Sequence, residues 1–134
     1  MKLLLDTHVW LWWNSAPERL APRVLRQIED PRNDVFLSAA SVWEIAIKRR
    51  LGKLALPEPV GAYVARRLES DSVTPLAVSH GHAAGVETLE PLHRDPFDRV
   101  LVVQARHEGF RLLTVDDQVL AYGSPTIDVR PGRA

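Results

Sequence analysis

Cysteine is absent from the 134 residues, which excludes disulfides, thiolate metal sites and a cysteine nucleophile. Neither sign of charge is in excess: 17 Lys plus Arg face 17 Asp plus Glu, for a formal net charge of zero. Bulk positive charge therefore does not hold this chain to nucleic acid, although a local basic face stays open to it. No apolar run approaches the roughly 18 residues that a membrane span requires. The opening MKLLLDTHVWLWW has the hydrophobicity of a secretory core, but Asp6 and His8 interrupt it and no small-residue cleavage site follows. These absences predict a soluble, cytoplasmic protein without membrane association. What is present is ordinary for a globular chain, 46% hydrophobic and 25% charged. That length and composition predict one domain over residues 1–134, with about 130–134 as a frayed tail. Of the cations, 14 are arginine, the residue suited to bidentate phosphate contacts.

Short apolar runs alternate with helical patterns. Lys2–Leu5, Val35–Leu37 and Arg111–Thr114 read as strands buried on both faces, with Val73–Leu76 and Thr126–Val129 as further short ones. Helices are expected from Val9, over Pro17–Asp30, Ser41–Leu51 with Gly52 as its stop, Pro57–Ser70, Ser79–Leu89, and Pro96–Glu108 ending at Gly109. Such alternation predicts an α/β fold in which helices cover a mostly parallel sheet on both sides.

Acids recur where these elements meet. Asp6 directly follows the first strand, and Asp116 follows Arg111–Thr114 after one residue. Ligands of open parallel sheets bind beyond the carboxyl ends of the strands, so these two carboxylates are expected to be neighbours. Glu44 lies in Ser41-Val42-Trp43-Glu44, a capping-box pattern, in the first turn of a helix that follows another strand. Asp95-Pro96 is a strong helix start that would make Asp95 the cap and set Asp98 in the first turn. Each acid alone also admits a helix-cap or first-turn reading, and Thr114 with Asp117 reads as a cap pair. Together they read as a site, because adjacent carboxylates resist joint ionisation unless a cation lies between them. An oxygen-rich set without Cys favours Mg²⁺ or Mn²⁺.

The stretches LLLDTHVWLW (Leu3–Trp12), FLSAASVWEIAIK (Phe36–Lys48), HRDPFDRVLVVQA (His93–Ala105) and LLTVDDQV (Leu112–Val119), in this order, resemble the PIN-domain ribonucleases, and more closely the VapC-type toxins of bacterial toxin–antitoxin pairs. The resemblance implies acidic ligands at Asp6, Glu44, Asp98 and Asp116 and a site hydroxyl at Thr114. It also implies a three-layer α/β/α sandwich, Mg²⁺ or Mn²⁺, endonucleolytic cleavage of RNA, a homodimer, and inhibition by a small cognate antitoxin. Asp95 could replace Asp98, and Asp117 could replace Asp116.

Hydrolysis of a phosphodiester by cations held on carboxylates needs no protein nucleophile, and no serine here sits in a nucleophile elbow. Lys48 and Arg49, with Arg50 and Lys53 beyond them, and Arg99 beside Asp98 are the candidate phosphate contacts; a solvated helix face is the competing reading. His93 is a substrate contact or supporting residue on one reading and a cap or surface residue on the other. His80, His82 and His107 read as surface residues. An exposed tryptophan on the first helix would suit a partner protein. Three rival readings are compatible with the same residues: a non-catalytic protein-binding module, a phosphatase working through an aspartyl-phosphate, and a DNA-directed nuclease of the same fold. The phosphatase is disfavoured by His8, which stands where a second Asp is usual.

Overall fold

Leu3, Leu4 and Leu5 are fully buried although leucine is not a strong strand former. Burial decides here, because successive side chains of a strand point to opposite faces and both faces of this sheet are covered. In the computed structural model, which describes residues 1–132, Leu3 and Leu5 join one hydrophobic cluster and Leu4 joins another. The chain forms five strands, β1 (Lys2–Leu5), β2 (Asp34–Ser38), β3 (Thr74–Leu76), β4 (Arg111–Thr114) and β5 (Thr126–Asp128). Seven helices accompany them: α1 (Thr7–Ser15), α2 (Pro22–Glu29), α3 (Ala39–Arg50), α4 (Val60–Ser70), α5 (His80–Gly85), α6 (Pro96–Glu108) and α7 (Asp117–Leu120). The strand order is β3-β2-β1-β4-β5, and every pairing is parallel.

One cluster packs α1, α2 and α4 on the sheet through Val9, Trp10, Val24, Ile28, Tyr63 and Val64. The other packs α6 on the opposite face through Leu101, Val102, Val103 and Ala105. The result is the expected three-layer α/β/α sandwich with a parallel sheet. From β1 the chain moves outward to β2 and β3, then crosses back to β4 on the other side of β1. That reversal opens a crevice at the carboxyl ends of β1 and β4, where folds of this kind bind ligands.

Several element boundaries differ from expectation, each for a local reason. The helix expected over Pro17–Asp30 is split into a 3₁₀ turn at Pro17–Arg19 and α2. Pro22 has no N–H and disfavours a helical residue before it, so Leu20 and Ala21 are extended (ψ 144° and 138°) and Ala21 donates to the Val129 carbonyl at 2.8 Å. Helix α4 begins three residues after Pro57, behind Pro59 at its N-cap. The segment after Ser79 is α5 followed by a 3₁₀ turn at Val86–Thr88. Gly85 lies at that junction, and a Cβ there would come within 2.8 Å of Val103 Cγ1, so the absence of a side chain lets α5 approach α6. Strand β5 ends at Asp128, one residue early.

Helix α7 was not expected. Within the expected frayed tail, Arg130 is instead fixed by Asp128 and Asp117 at 2.8 and 2.7 Å, while Arg133 and Ala134 lie outside the described residues. His82, expected on the surface, is buried: it closes a capping box with Ser79 and reaches Glu108 at 2.9 Å. Trp12 and Trp13 on α1 are half-buried and Trp10 is fully buried. The exposed tryptophan is Trp43 on α3 (64%), not one on the first helix. Among the described residues no helix is long and apolar enough to cross a membrane.

Candidate active site

The ladder between β1 and β4 places Leu5 opposite Leu113, and Asp6 N extends it by donating to the Leu113 carbonyl at 2.9 Å. Asp6 and Thr114 therefore leave the sheet side by side, 108 residues apart in sequence. The Thr114 hydroxyl donates to Asp6 Oδ2 at 2.6 Å and accepts from the Asp116 backbone N–H at 3.1 Å. Asp6 is also the N-cap of α1, its Oδ1 accepting from His8 N at 3.2 Å. One oxygen of Asp6 thus caps the helix while the other turns to Thr114, so the cap does not use up the carboxylate. Asp116 divides its oxygens likewise: Oδ1 caps α7 by accepting from Gln118 N at 2.7 Å, and Oδ2 lies 3.6 Å from His93 Nε2. The expected Thr114–Asp117 cap pair does not form. Asp117 faces outward and pairs with Arg130 at 2.7 Å.

Helix α6 separates the two members of the other doublet. Asp95 is its N-cap, with Oδ1 accepting from Phe97 N at 2.9 Å and Asp98 N at 3.2 Å. Asp98, one turn in, is buried and points at His93, with Oδ2 2.8 Å from Nε2. The backbone N–H of Asp95 approaches Nδ1 of the same ring at 3.4 Å, so the imidazole is held between the loop backbone and Asp98. Arg99 does not reach the site. Its guanidinium donates to the carbonyls of Glu90, His93, Val86 and Leu89 and to the Tyr122 hydroxyl at 3.1–3.4 Å. That clamp holds the loop which presents His93, and it corrects the expectation of a phosphate contact at Arg99.

Glu44 arrives from α3. Ser38, not Ser41, caps this helix by accepting from Ala40 N at 3.1 Å, so the Ser41–Glu44 capping box is absent. Ser41 and Glu44 instead meet Thr7 of α1, at 2.9 and 2.7 Å from its hydroxyl. With one proton available on Thr7, the consistent chain runs Ser41 to Thr7 to Glu44 Oε1. Glu44 Oε2 accepts from Lys48 Nζ, one turn on, at 2.6 Å. Arg49 on the same helix is exposed and is not brought to the acids.

Burial pushes the Asp6 carboxyl up, against the pull of its bonds to Thr114 and His8. Asp98 is pushed up to about 9, first by burial and then by Asp6, Asp95, Glu44 and Asp116. These carboxylates crowd one another more than nearby cations compensate. A divalent cation is the group such a cluster accepts, and the donors fit it. Ligand atoms of His93, Asp98 and Asp116 lie within 4.8 Å of one another, near enough for an ion to draw them to the separations of about 3.0–3.4 Å that bonds of about 2.1 Å impose.

His93, for which the sequence left a substrate-contact or supporting role open beside a cap or surface one, lies against Asp98 and Asp116. It lies in a loop before α6, where no periodicity places a side chain; its spacing five residues before Asp98 in HRDPFD was the available signal. Thr7, one residue after Asp6, joins Ser41 and Glu44 through its hydroxyl. Beside the acids, Thr7, His8, Trp12, Arg19, Lys48 and Lys53 border a cleft of about 550 Å³ between α1 and α3.

A carboxylate cluster suited to divalent cations, at the switch point of a parallel α/β sheet, defines a class of metal-binding hydrolytic sites. Within that class the chain belongs to the PIN-domain family, whose pattern matches residues 3–123. It is 53% identical over 57 residues to ribonuclease VapC16 of Mycobacterium tuberculosis, a match spanning 42% of this chain and 40% of that protein. It is 28% identical to ribonuclease VapC22 of the same organism over 126 residues, 92% of this chain and 93% of that one. Among solved structures, a toxin–antitoxin complex from Klebsiella pneumoniae shares the fold with a TM-score of 0.64 at 14% identity, covering 94% of this chain and 96% of that one.

Proposed function

We propose that this chain is a divalent-metal-dependent endoribonuclease, a single-domain enzyme hydrolysing phosphodiester bonds in RNA, and the toxin of a toxin–antitoxin pair. The observation that carries the chemistry is the convergence of Asp6, Asp98 and Asp116, with Glu44 close by, at the β1–β4 edge. The names of its relatives support RNA as the substrate. The complex that shares its fold supports a small antitoxin partner. The reading extends to a homodimer acting in the cytoplasm, with exposed Trp43 suited to a protein contact.

In this reading Asp6, Asp98 and Asp116 hold Mg²⁺ or Mn²⁺, which supplies Lewis-acid polarisation of the phosphodiester. Thr114 keeps Asp6 and the Asp116 backbone in register, and His93, with Nε2 2.8 Å from Oδ2, orients Asp98. The acids repel RNA until they are neutralised, and Lys48, with Lys53 and Arg19 along the cleft, offers phosphate contacts on the approach. With no net charge behind them, these contacts give modest, salt-sensitive affinity.

The test is cleavage of structured RNA and of matched DNA by the purified chain with Mn²⁺, beside Asp6→Asn. Cleavage of RNA alone, falling roughly a thousandfold in the variant, is expected, since a lost metal site forfeits several kcal/mol of transition-state stabilisation. Equal cleavage of DNA would favour the DNA-directed alternative. No cleavage with any divalent cation would favour a protein-binding module.

A further inference from the structure

Lys48 is the feature that the acidic cluster does not by itself explain. It sits one turn after Glu44 on α3 with its ammonium 2.6 Å from Glu44 Oε2. Among the described residues no other Lys or Arg pairs with Asp6, Glu44, Asp98 or Asp116 at salt-bridge distance. The ammonium also lies within electrostatic reach of Asp95 and Asp98. Its other side faces the cleft that it shares with Arg19 and Lys53. Glu44 is correspondingly occupied, with Thr7 on one oxygen at 2.7 Å and Lys48 on the other at 2.6 Å.

Two-metal phosphodiesterases set a second cation a few ångströms from the first, so that attacking and leaving oxygens are both neutralised. We infer that in this chain Lys48, anchored by Glu44, is that second cation, so that Asp6, Asp98 and Asp116 bind one divalent ion per chain. Charge supports the count. Four ionised carboxylates carry four negative charges, which one divalent ion and one ammonium reduce to a single net negative charge. A second divalent ion would have to displace Lys48 from Glu44, breaking the ion pair that already neutralises that carboxylate. Lys48 also differs from a metal in staying put when the ion departs. It gives the phosphate a fixed contact in a side chain that the α3 helix holds one turn from the acid it neutralises.

This inference rests on the metal-dependent reading above, and its test is separable from it. Mn²⁺ is titrated into the full-length chain and the ions bound per chain are counted from the electron paramagnetic resonance signal of free Mn²⁺. Wild type is expected to bind one. Lys48→Met and Lys48→Gln, which free the Glu44 carboxylate, are expected to bind two, whereas Lys48→Arg, which keeps the charge, is expected to stay at one. Circular dichroism identifies which of the two neutral variants is folded and counted. Two ions in wild type, or one in a folded neutral variant, would overturn the inference. Two ions in a wild type that still cleaves RNA would overturn it while leaving the nuclease standing; one ion without RNA cleavage would instead remove the nuclease reading.

Discussion

Acidic side chains meet two opposite fates in this molecule. On the surface, Glu90 is gripped by Arg106 at 2.7 Å and Asp30 by Arg32 at 2.8 Å, and these guanidinium partners hold both carboxyls down at about 2. At the carboxyl edge of β1 and β4, burial and neighbouring carboxylates push Asp98 up to about 9, and Asp6 moves the same way. The residue types are the same; the difference lies in what surrounds them. Where each acid has its own arginine, the chain satisfies itself. Where acids have chiefly one another, the fold keeps charge in a place that an external cation can balance.

The largest test of that contrast is Asp98→Asn. It is expected to lower RNA cleavage roughly a thousandfold, for the reason given for Asp6, while raising the stability of the metal-free protein. A folded-state pKa of about 9 against an ordinary 3.8 means that the folded state holds the Asp98 proton more tightly. The associated stability is full below about pH 4 and is lost as pH rises toward 9. Thermal melts of metal-free wild type should therefore fall between pH 5 and pH 9, by several degrees on the usual scale of roughly 2–8 °C per kcal/mol. The fall should be much shallower in Asp98→Asn, and added Mn²⁺ should raise the wild-type melt more at pH 8 than at pH 5. A flat wild-type profile would mean that the cluster is already balanced.

A smaller effect is expected at Thr114→Val, which keeps the shape and removes the hydroxyl bonded to Asp6 Oδ2 at 2.6 Å. Loss of a group that orients a metal ligand typically costs about 10–100-fold in metal affinity or activity. Mn²⁺ titration and RNA cleavage should both fall by that much with native circular dichroism. An unchanged Mn²⁺ affinity would show that Thr114 serves only the fold.

Least should follow from Glu90→Gln. It breaks the surface pair with Arg106 and is expected to leave RNA cleavage within about twofold of wild type, because exposed ion pairs contribute little. A large loss there would erase the distinction between the two kinds of acid.

Much of the architecture was legible because it rests on local patterns. The apolar run Lys2–Leu5, the Asp95-Pro96 start of α6 and its end at Gly109, which sits at φ +73°, are short-range signals with short-range causes. Failures came where distant parts decide. Ser41 carries a capping-box pattern, but Ser38 at the end of β2 caps α3 first, and Thr7 from α1 then takes Ser41 and Glu44 for the site. Arg99 sits beside the candidate ligand Asp98 in sequence, yet helix phase turns it onto the loop carbonyls.

The sequence by itself determined the alternation of strands and helices, the family and the set of acids from which a site can be drawn, since those depend on residue type and spacing. Only the tertiary structure decided which member of each doublet faces the crevice, that His93 and Thr7 belong there, and that Lys48 neutralises Glu44. Those choices depend on the parallel register of β1 with β4 and on the phase of α3 and α6 against the sheet. Caps, by contrast, need only the neighbouring turn. Asp6 shows both kinds of cause in one residue: its Oδ1 bond to His8 N spans two residues, and its Oδ2 bond to Thr114 spans 108.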